Sequence, residues 1–320
     1  MQVLVLAGGL SAERDVSQRS GRRVAEALRV ERPDWEVREH DVDANLLDRL
    51  RDHRPDCIVP LLHGAAGEDG ALRDVLESLR IPFVGSGAAA SRLAFDKPIA
   101  KQLAIAAGIS SPGCVAMPQS TFRELGAAAV LDAVIDRLGL PLVVKPTRGG
   151  SSLGTSIVHR AADLPAAMVG AFAYADVVLM EQYVDGVEVA VGVFERSGDV
   201  LALSAVEIVP EGELYDYAAR YTAGTTEFFC PARLSEEHSL RAQALALDMH
   251  VLLGLRDLSR TDIIIDAGGQ PWFLEVNVAP GMTETSLFPQ ALVAAELSLG
   301  TFTAELVVAA VARESSEHLV

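Results

Sequence analysis

An apolar run, Arg260-Thr261-Asp262-Ile263-Ile264-Ile265, is followed by Asp266-Ala267-Gly268-Gly269 and then by a run through Leu274-Glu275-Val276-Asn277. Turn-forming residues between two strand-like runs predict a β-hairpin. Side chains two apart in a strand share a face, so Glu275 lies with Asn277 and Arg260 with Asp262. Isolated strand-end carboxylates also form salt bridges or turns. Here the turn signal brings Asp262 to the Glu275–Asn277 pair, and such an all-oxygen set suits a hard cation such as Mg²⁺. Arg260 would then be placed to neutralise an acyl phosphate or a tetrahedral oxyanion. The Pro280-Gly281 turn that follows would bring backbone N–H groups to a substrate.

The chain has 320 residues, enough for two or three domains, and half of them are apolar. It has no run of about 18 apolar residues, so a membrane span is not expected. Met1 to Gly9 lacks a basic start and reads as a first strand rather than a signal peptide. Cys57, Cys114 and Cys230 have no metal or redox spacing, which makes reduced thiols in a cytoplasm the default. A formal net charge of −17 disfavours bulk nucleic-acid binding but not a nucleotide ligand, which needs only a few local cations or a metal.

Strand and helix signals alternate over residues 1 to about 96: strand Val3-Leu6, helix Ser17 to Arg29, strand Cys57-Leu62, helix Ala71-Leu79 and strand Ile81-Val84. That order predicts an α/β unit with a doubly wound parallel sheet. A boundary is expected near Asp96-Lys97-Pro98, followed by a helix over Ile99-Ala107. Leu142-Lys145 and Val177-Glu181 read as strands, and Val187-Phe194 and Leu201-Val209 as the start of an antiparallel sheet. Glu211 to Cys230 is polar and reads as a mobile lid. Residues 301 to 312 read as a terminal amphipathic helix, with Glu317 to Val320 frayed.

The loop Lys145 to Gly154 follows a strand and is rich in Gly and Ser, including Ser151 and Ser152. Its glycines would let N–H groups turn toward an anion. An ordinary hairpin turn has the same composition. Lys145, at a strand end, calls for a phosphate partner or reaches solvent, and Lys97 has the same two readings. His63 lies beyond the carboxyl end of a strand, where ligands bind in open α/β sheets, although a loop histidine bonded to a carbonyl fits equally well there. Glu13 follows the first strand and is either a site carboxylate or an acid near a helix dipole. Tyr215, Tyr217, Arg220 and Tyr221 cluster in the expected lid, as ligand contacts or as loop anchors. Glu181 and Glu188 flank Gln182-Tyr183-Val184, a candidate connector between domains.

In order, the chain contains L-A-G-G-L-S-A-E-R-D-V-S, L-H-G-A-A-G-E-D-G, P-F-V-G-S-G, D-K, V-V-K-P-T-R-G-G-S-S-L-G, M-E-Q-Y-V-D-G-V-E, L-Y-D-Y-A-A-R-Y, R-T-D and L-E-V-N-V-A-P-G-M-T-E-T-S-L-F-P. This series resembles the D-alanine–D-alanine ligase family of the ATP-grasp superfamily over nearly the whole length. The resemblance implies a three-domain ATP-grasp fold: an N-terminal α/β domain (1–96), a central domain (97–183) and a C-terminal domain with lid and metal site (184–320), with ATP between the last two. It implies ATP-dependent joining of two D-alanines through a D-alanyl phosphate, in a cytoplasmic homodimer with no nucleic-acid or membrane partner. Mg²⁺ or Mn²⁺ would be the cofactor, and a monovalent-cation requirement stays open.

By the same resemblance Asp262, Glu275 and Asn277 would hold the metal. Lys97, Lys145, Ser152 and Arg220 would contact ATP phosphates, with Glu181, Tyr183, Val184 and Glu188 around adenine and ribose. Glu13 and His63 would receive the first D-alanine, and Ser286 and Leu287 the carboxylate of the second. Arg260 and the Gly281 N–H would steady the oxyanion, and Glu13, Ser151 and Tyr221 would tie the lid to the site. Tyr221 favours an amine acceptor over D-lactate. The chain departs from the family pattern at Arg220, where a lysine is usual, at Gly149, at Arg73-Asp74 and at Thr261. These departures keep open a related ligase making D-Ala-D-Ser, D-Ala-D-lactate or a secondary-metabolite dipeptide. An inactive nucleotide-binding homologue should have lost metal ligands, and Asp262, Glu275 and Asn277 all remain.

Overall fold

The structure is a computed structural model that describes residues 1–215, 219–220 and 224–317, with the backbone alone for 314–317. Strand β1 (Gln2–Leu6) is the middle of a three-stranded parallel sheet, between β2 (Glu36–His40) and β3 (Cys57–Pro60). Its alternation sends Val3 and Val5 into one apolar layer and Leu4 and Leu6 into another. A strand apolar on both faces needs helices on both sides of its sheet. Helix α1 (Arg14–Glu31) covers the first face with Val24, Ala25 and Leu28, and α2 (Leu46–Asp52) the second with Leu46 and Leu50. This is the doubly wound sheet expected at the N-terminus. The expected strand Ile81-Val84 is reduced to a single parallel bridge between Ile58 and Phe83. Pro82 has no N–H to extend the ladder, and the left-handed Gly85 (φ 103°) ends it.

Helices α3 (Ala65–Glu68), α4 (Ala71–Ser78), α5 (Ala88–Phe95) and α6 (Lys97–Ala106) lead to a second, antiparallel sheet. It contains β4 (Cys114–Pro118), β5 (Leu142–Pro146), β6 (Ser156–Val158) and β7 (Val177–Gln182) in the order β4-β7-β5-β6. Helices α7 (Gln119–Leu125), α8 (Ala127–Leu138) and α9 (Leu164–Phe172) accompany it. Leu142 and Val144 of β5 and Val178 and Met180 of β7 pack on α8 and α9. The period of two therefore turns Lys145 and Glu181 to the opposite face.

The third sheet has the order β11-β10-β8-β12-β13, with β9 also paired to β8. Its strands are β8 (Gly186–Arg196), β9 (Asp199–Ala202), β10 (Val206–Pro210), β11 (Thr226–Phe229), β12 (Leu258–Asp266) and β13 (Pro271–Asn277). The single strand expected over Leu201-Val209 is two, because the ladder with β8 breaks at Leu203–Ala205, where Leu203 and Ala205 turn into two different cores. The expected lid is sheet from Thr226 to Phe229, where β11 pairs with β10. Tyr217 and Tyr221 lie outside the described residues, as do residues 318–320. Helix α10 (Glu236–Leu252) covers one face of this sheet, and α11 (Leu287–Ala294) and α12 (Leu299–Glu317) the other. Among the described residues no single helix is long and apolar enough to cross a membrane.

Two helices cross the sequence order. Ala100 and Ala104 of α6 enter the core of the third sheet, and α12 returns to α1 with Phe302, Leu306 and Val307. The return is pinned by Asp257, only 1% exposed. Its carboxylate accepts from Arg313 of α12 (2.6 and 2.9 Å) and from the Gly85 N–H (2.6 Å). One carboxylate thus ties the terminal helix, the first residue before β12 and the loop after Phe83. Arg313→Ala strips a buried carboxylate of its forked partner and should cost about 3 kcal/mol in urea unfolding. Arg313→Lys should recover only part of that, since an ammonium lacks the fork.

Candidate active site

The β12–β13 hairpin forms as expected, with Asp266 accepting from the Gly268 and Gln270 N–H groups across the turn (2.9 and 3.0 Å). Asp262 lies opposite Glu275, and Arg260 opposite Asn277. Direct pairing and the i, i+2 spacing put all four polar side chains on one face, and the register shift beyond Asp262 leaves Leu274 as the extra residue. Arg260 holds Asp262 through two bonds of 2.7 and 2.8 Å. This face lines two neighbouring cavities. Asp262 and Glu275 line a cleft of about 680 Å³, within the range of small-molecule sites. Arg260 and Asn277 line a hollow of about 60 Å³. Glu13, Gly150, Tyr215 and Arg220 border both.

The facing wall carries buried lysines. Lys145 reaches Glu181 Oε1 at 2.5 Å, and Lys97 reaches Glu275 Oε2 at 2.9 Å. Lys97 also donates to the Gly149 carbonyl (2.5 Å), while Arg148 pairs with Asp96 (3.0 Å). These bonds fasten the Gly/Ser loop between β5 and β6 to the start of α6. The loop is a hairpin connection between β5 and β6, as its composition allows, and it also lines the cleft. Gly149 (φ 130°), Ser152 (φ 56°) and Gly154 (φ 72°) take left-handed backbone there. Tyr183 and Val184, between β7 and β8, and Glu188 of β8 line the cleft. Arg220 stacks over the Tyr215 ring at 4.3 Å. Glu181 does not stand apart at the connector with Glu188; it is buried between two lysines, with Lys101 as the second at 2.8 Å.

The hollow gathers residues distant in sequence. Glu13 sits at the start of α1, as a helix acid would, yet faces both cavities. His63 Nδ1 lies 3.0 Å from the Ala279 carbonyl, the backbone bond expected of a loop histidine, and its ring still borders the hollow. Gly281, Ser286 and Leu287 close the other side. The Ser286 hydroxyl accepts from the Thr283 N–H (3.1 Å) and lies 2.8 Å from Thr283 Oγ1. Arg23 of α1 donates to the Met282 and Thr283 carbonyls (2.8 and 2.9 Å) and holds this loop against the first sheet.

The family described as D-ala D-ala ligase C-terminus matches residues 103–308. A D-alanine–D-alanine ligase from Anaeromyxobacter dehalogenans is 44% identical over 93% of this chain and 92% of its own. The chain belongs to the D-alanine–D-alanine ligase family.

Among solved structures, the Bacillus anthracis ligase complexed with ATP matches with a TM-score of 0.82, at 28% identity over 99% of both chains. A D-Ala:D-Ser ligase from Enterococcus faecalis matches with 0.80, at 27% identity over 97% of this chain and 99% of its own. The ATP-grasp fold of this family is therefore the fold of the chain.

The donors of the ligase hairpin fit a hard cation. Two carboxylates and an amide share a face, and each carboxylate oxygen bonded to Arg260 or Lys97 has a second lone pair. Among the described residues no three His, Cys, Asp or Glu side chains cluster as metal ligands, so a cation here would need Asn277 beside the two carboxylates.

Charge in the site follows burial and pairing. Burial opposes the charge on Glu275, yet Lys97, Lys145 and Arg220 hold it well below the usual carboxylate range. Burial pushes Glu188 up to about 7, against the pull of Arg220 and with repulsion from Asp262 and Glu275. It also pushes His63 down to about 4, which leaves a neutral ring able to donate to Ala279. Glu68 escaped the reading of the sequence, although it stands in the same L-H-G-A-A-G-E-D-G block as His63. Burial and then Glu13 push it up to about 8, and it accepts from the Gly64 N–H (2.8 Å). Lys101 was also missed; its signal was the four-residue spacing from Lys97, which puts both on one helix face.

Because folding raises the Glu68 pKa from an ordinary 4.5 to about 8, the folded state holds a proton that the unfolded chain releases. Stability from this group is present below pH 4.5 and is lost as pH rises through 8. Melting temperatures from pH 5 to pH 9 should fall less steeply in Glu68→Gln than in the native chain. Parallel slopes would rule out a protonated Glu68.

Proposed function

We propose that this chain joins two D-alanines at the expense of ATP, supplying the dipeptide used in peptidoglycan precursors. The observation that carries the reading is the hairpin face of Arg260, Asp262, Glu275 and Asn277, which runs from a nucleotide-sized cleft into a hollow next to Glu13 and His63. A phosphoryl group leaving a nucleotide in the cleft would meet a carboxylate held in the hollow at that seam.

In this reading Lys97, Lys145 and Arg220 hold the phosphates, with the loop N–H groups and Ser152 over them. Tyr183, Val184, Glu181 and Glu188 form the adenine and ribose end. Asp262, Glu275 and Asn277 would hold Mg²⁺ or Mn²⁺, which when bound neutralises phosphate charge and polarises the transferred group. Glu13 and His63 receive the first D-alanine, and Ser286 and Leu287 the carboxylate of the second. The first carboxylate becomes an acyl phosphate, the second amine attacks it, and phosphate leaves. Arg260 and the Gly281 N–H take the charge that develops on oxygen. Ser151, Glu13 and Tyr221 close the lid over the intermediate, and Tyr221 sets the preference for an amine acceptor.

The reading divides the chain at 1–96, 97–183 and 184–320, in line with its three sheets. It also carries a cytoplasmic homodimer without nucleic-acid or membrane partners.

The deciding assay is ATP-dependent phosphate release with D-alanine, with the product identified by mass. D-serine, D-lactate and L-alanine run in parallel. D-alanyl-D-alanine is the expected product; turnover only with D-serine or D-lactate as acceptor would replace it with a related ligase. Glu275→Gln should lower kcat at least about 100-fold with the circular dichroism spectrum unchanged. Native-like turnover in that variant would remove Glu275 from the metal set.

A further inference from the structure

Lys101 is the least accessible charged side chain near the cleft, 0% exposed. Its ammonium lies 2.8 Å from Glu181 Oε2, 3.0 Å from Ser111 Oγ and 3.3 Å from the Phe273 carbonyl. The hydroxyl and the carbonyl each take a hydrogen bond from it and the carboxylate is its ion-pair partner, and the three sit on the segment before β4, on β13 and on β7. Lys101 thus joins the two sheets that bound the cleft. Lys101 does not line the cleft, whereas Lys145 does.

Glu181 divides its oxygens between the two lysines, Oε2 to Lys101 and Oε1 to Lys145. Among the described residues Glu181 is the only acid within ion-pair distance of Lys145. A carboxylate with one lysine would spend its whole charge on that partner, whereas one shared by two lysines leaves net positive charge facing the cleft.

We propose that Lys101 is a positioning residue for ATP: by neutralising Glu181 from behind, it keeps the charge of Lys145 available to a phosphate. The inference rests on the ligase reading and adds to it a residue that never touches substrate. A purely structural ion pair would also be buried and satisfied, but its loss would disturb the ATP and D-alanine sites alike.

The test uses four full-length proteins: native, Lys101→Met, Glu181→Gln and the double variant. Kinetic constants for ATP and for D-alanine are measured in each. Lys101→Met should raise KM for ATP at least about tenfold and KM for D-alanine less than about twofold. In the Glu181→Gln background the same substitution should change the ATP constant less than about twofold, because no carboxylate charge remains to be divided. Equal shifts in both substrates, no shift for ATP, or additive effects in the double variant would overturn the proposal. If Lys101→Met alone does not fold, the double variant against Glu181→Gln decides: equal ATP constants support the proposal, and a tenfold or larger gap overturns it. Native enzyme that turns over another acid instead of D-alanine would fail the ligase reading, and the ATP comparison would then run with that acid.

Discussion

Burying charge costs several kcal/mol for each ion, and the cost is offset only by partners at hydrogen-bond distance. The cleft is built under that constraint. Lys101 and Lys145 share Glu181, Lys97 meets Glu275, and Arg260 grips Asp262. The partners come from α6, β5, β7, β12 and β13, that is, from two sheets and the helix between them. Each element can bury its charge only when the others are in place. The same pairs that close the fold therefore define the cleft.

This arrangement prepares the site for an anion. Cations already withdrawn from water and held at fixed positions lose little more when a phosphate arrives. The loop that would cover the phosphates is fastened from one end through Lys97 and Arg148, so its N–H groups need not search for their place. The carboxylates of Asp262 and Glu275 line the same cleft as Lys97 and Lys145, so the proposed metal would sit beside the proposed phosphate contacts.

The hollow mixes the two kinds of group. Burial pushes His63 down to about 4 and Glu68 up to about 8, beside Glu13, Arg220 and Arg260. Arg23 ties α1 to the loop after β13, and the Asp257–Arg313 pair ties α12 to the start of β12.

Much of this was legible in the residues. The continuous apolar β1, the turn at Asp266 to Gly269 and the i, i+2 spacing of Glu275 and Asn277 are local patterns set by the pleat of a strand. They were enough for the parallel sheet, the hairpin and the shared face of Asp262, Glu275 and Asn277. The order of the motif blocks added the family. Tertiary structure decided the rest. Ile81–Val84 and Leu201–Val209 have strand composition, but their hydrogen bonding depends on neighbours that no local window contains. Glu181 read as a connector acid until packing enclosed it between two lysines, one of them 80 residues away and the other 36. Lys101 carries only a four-residue spacing from Lys97, and Glu68 only its place in the block with His63. Both are marked out by burial, and burial belongs to the assembled fold rather than to any segment of the chain.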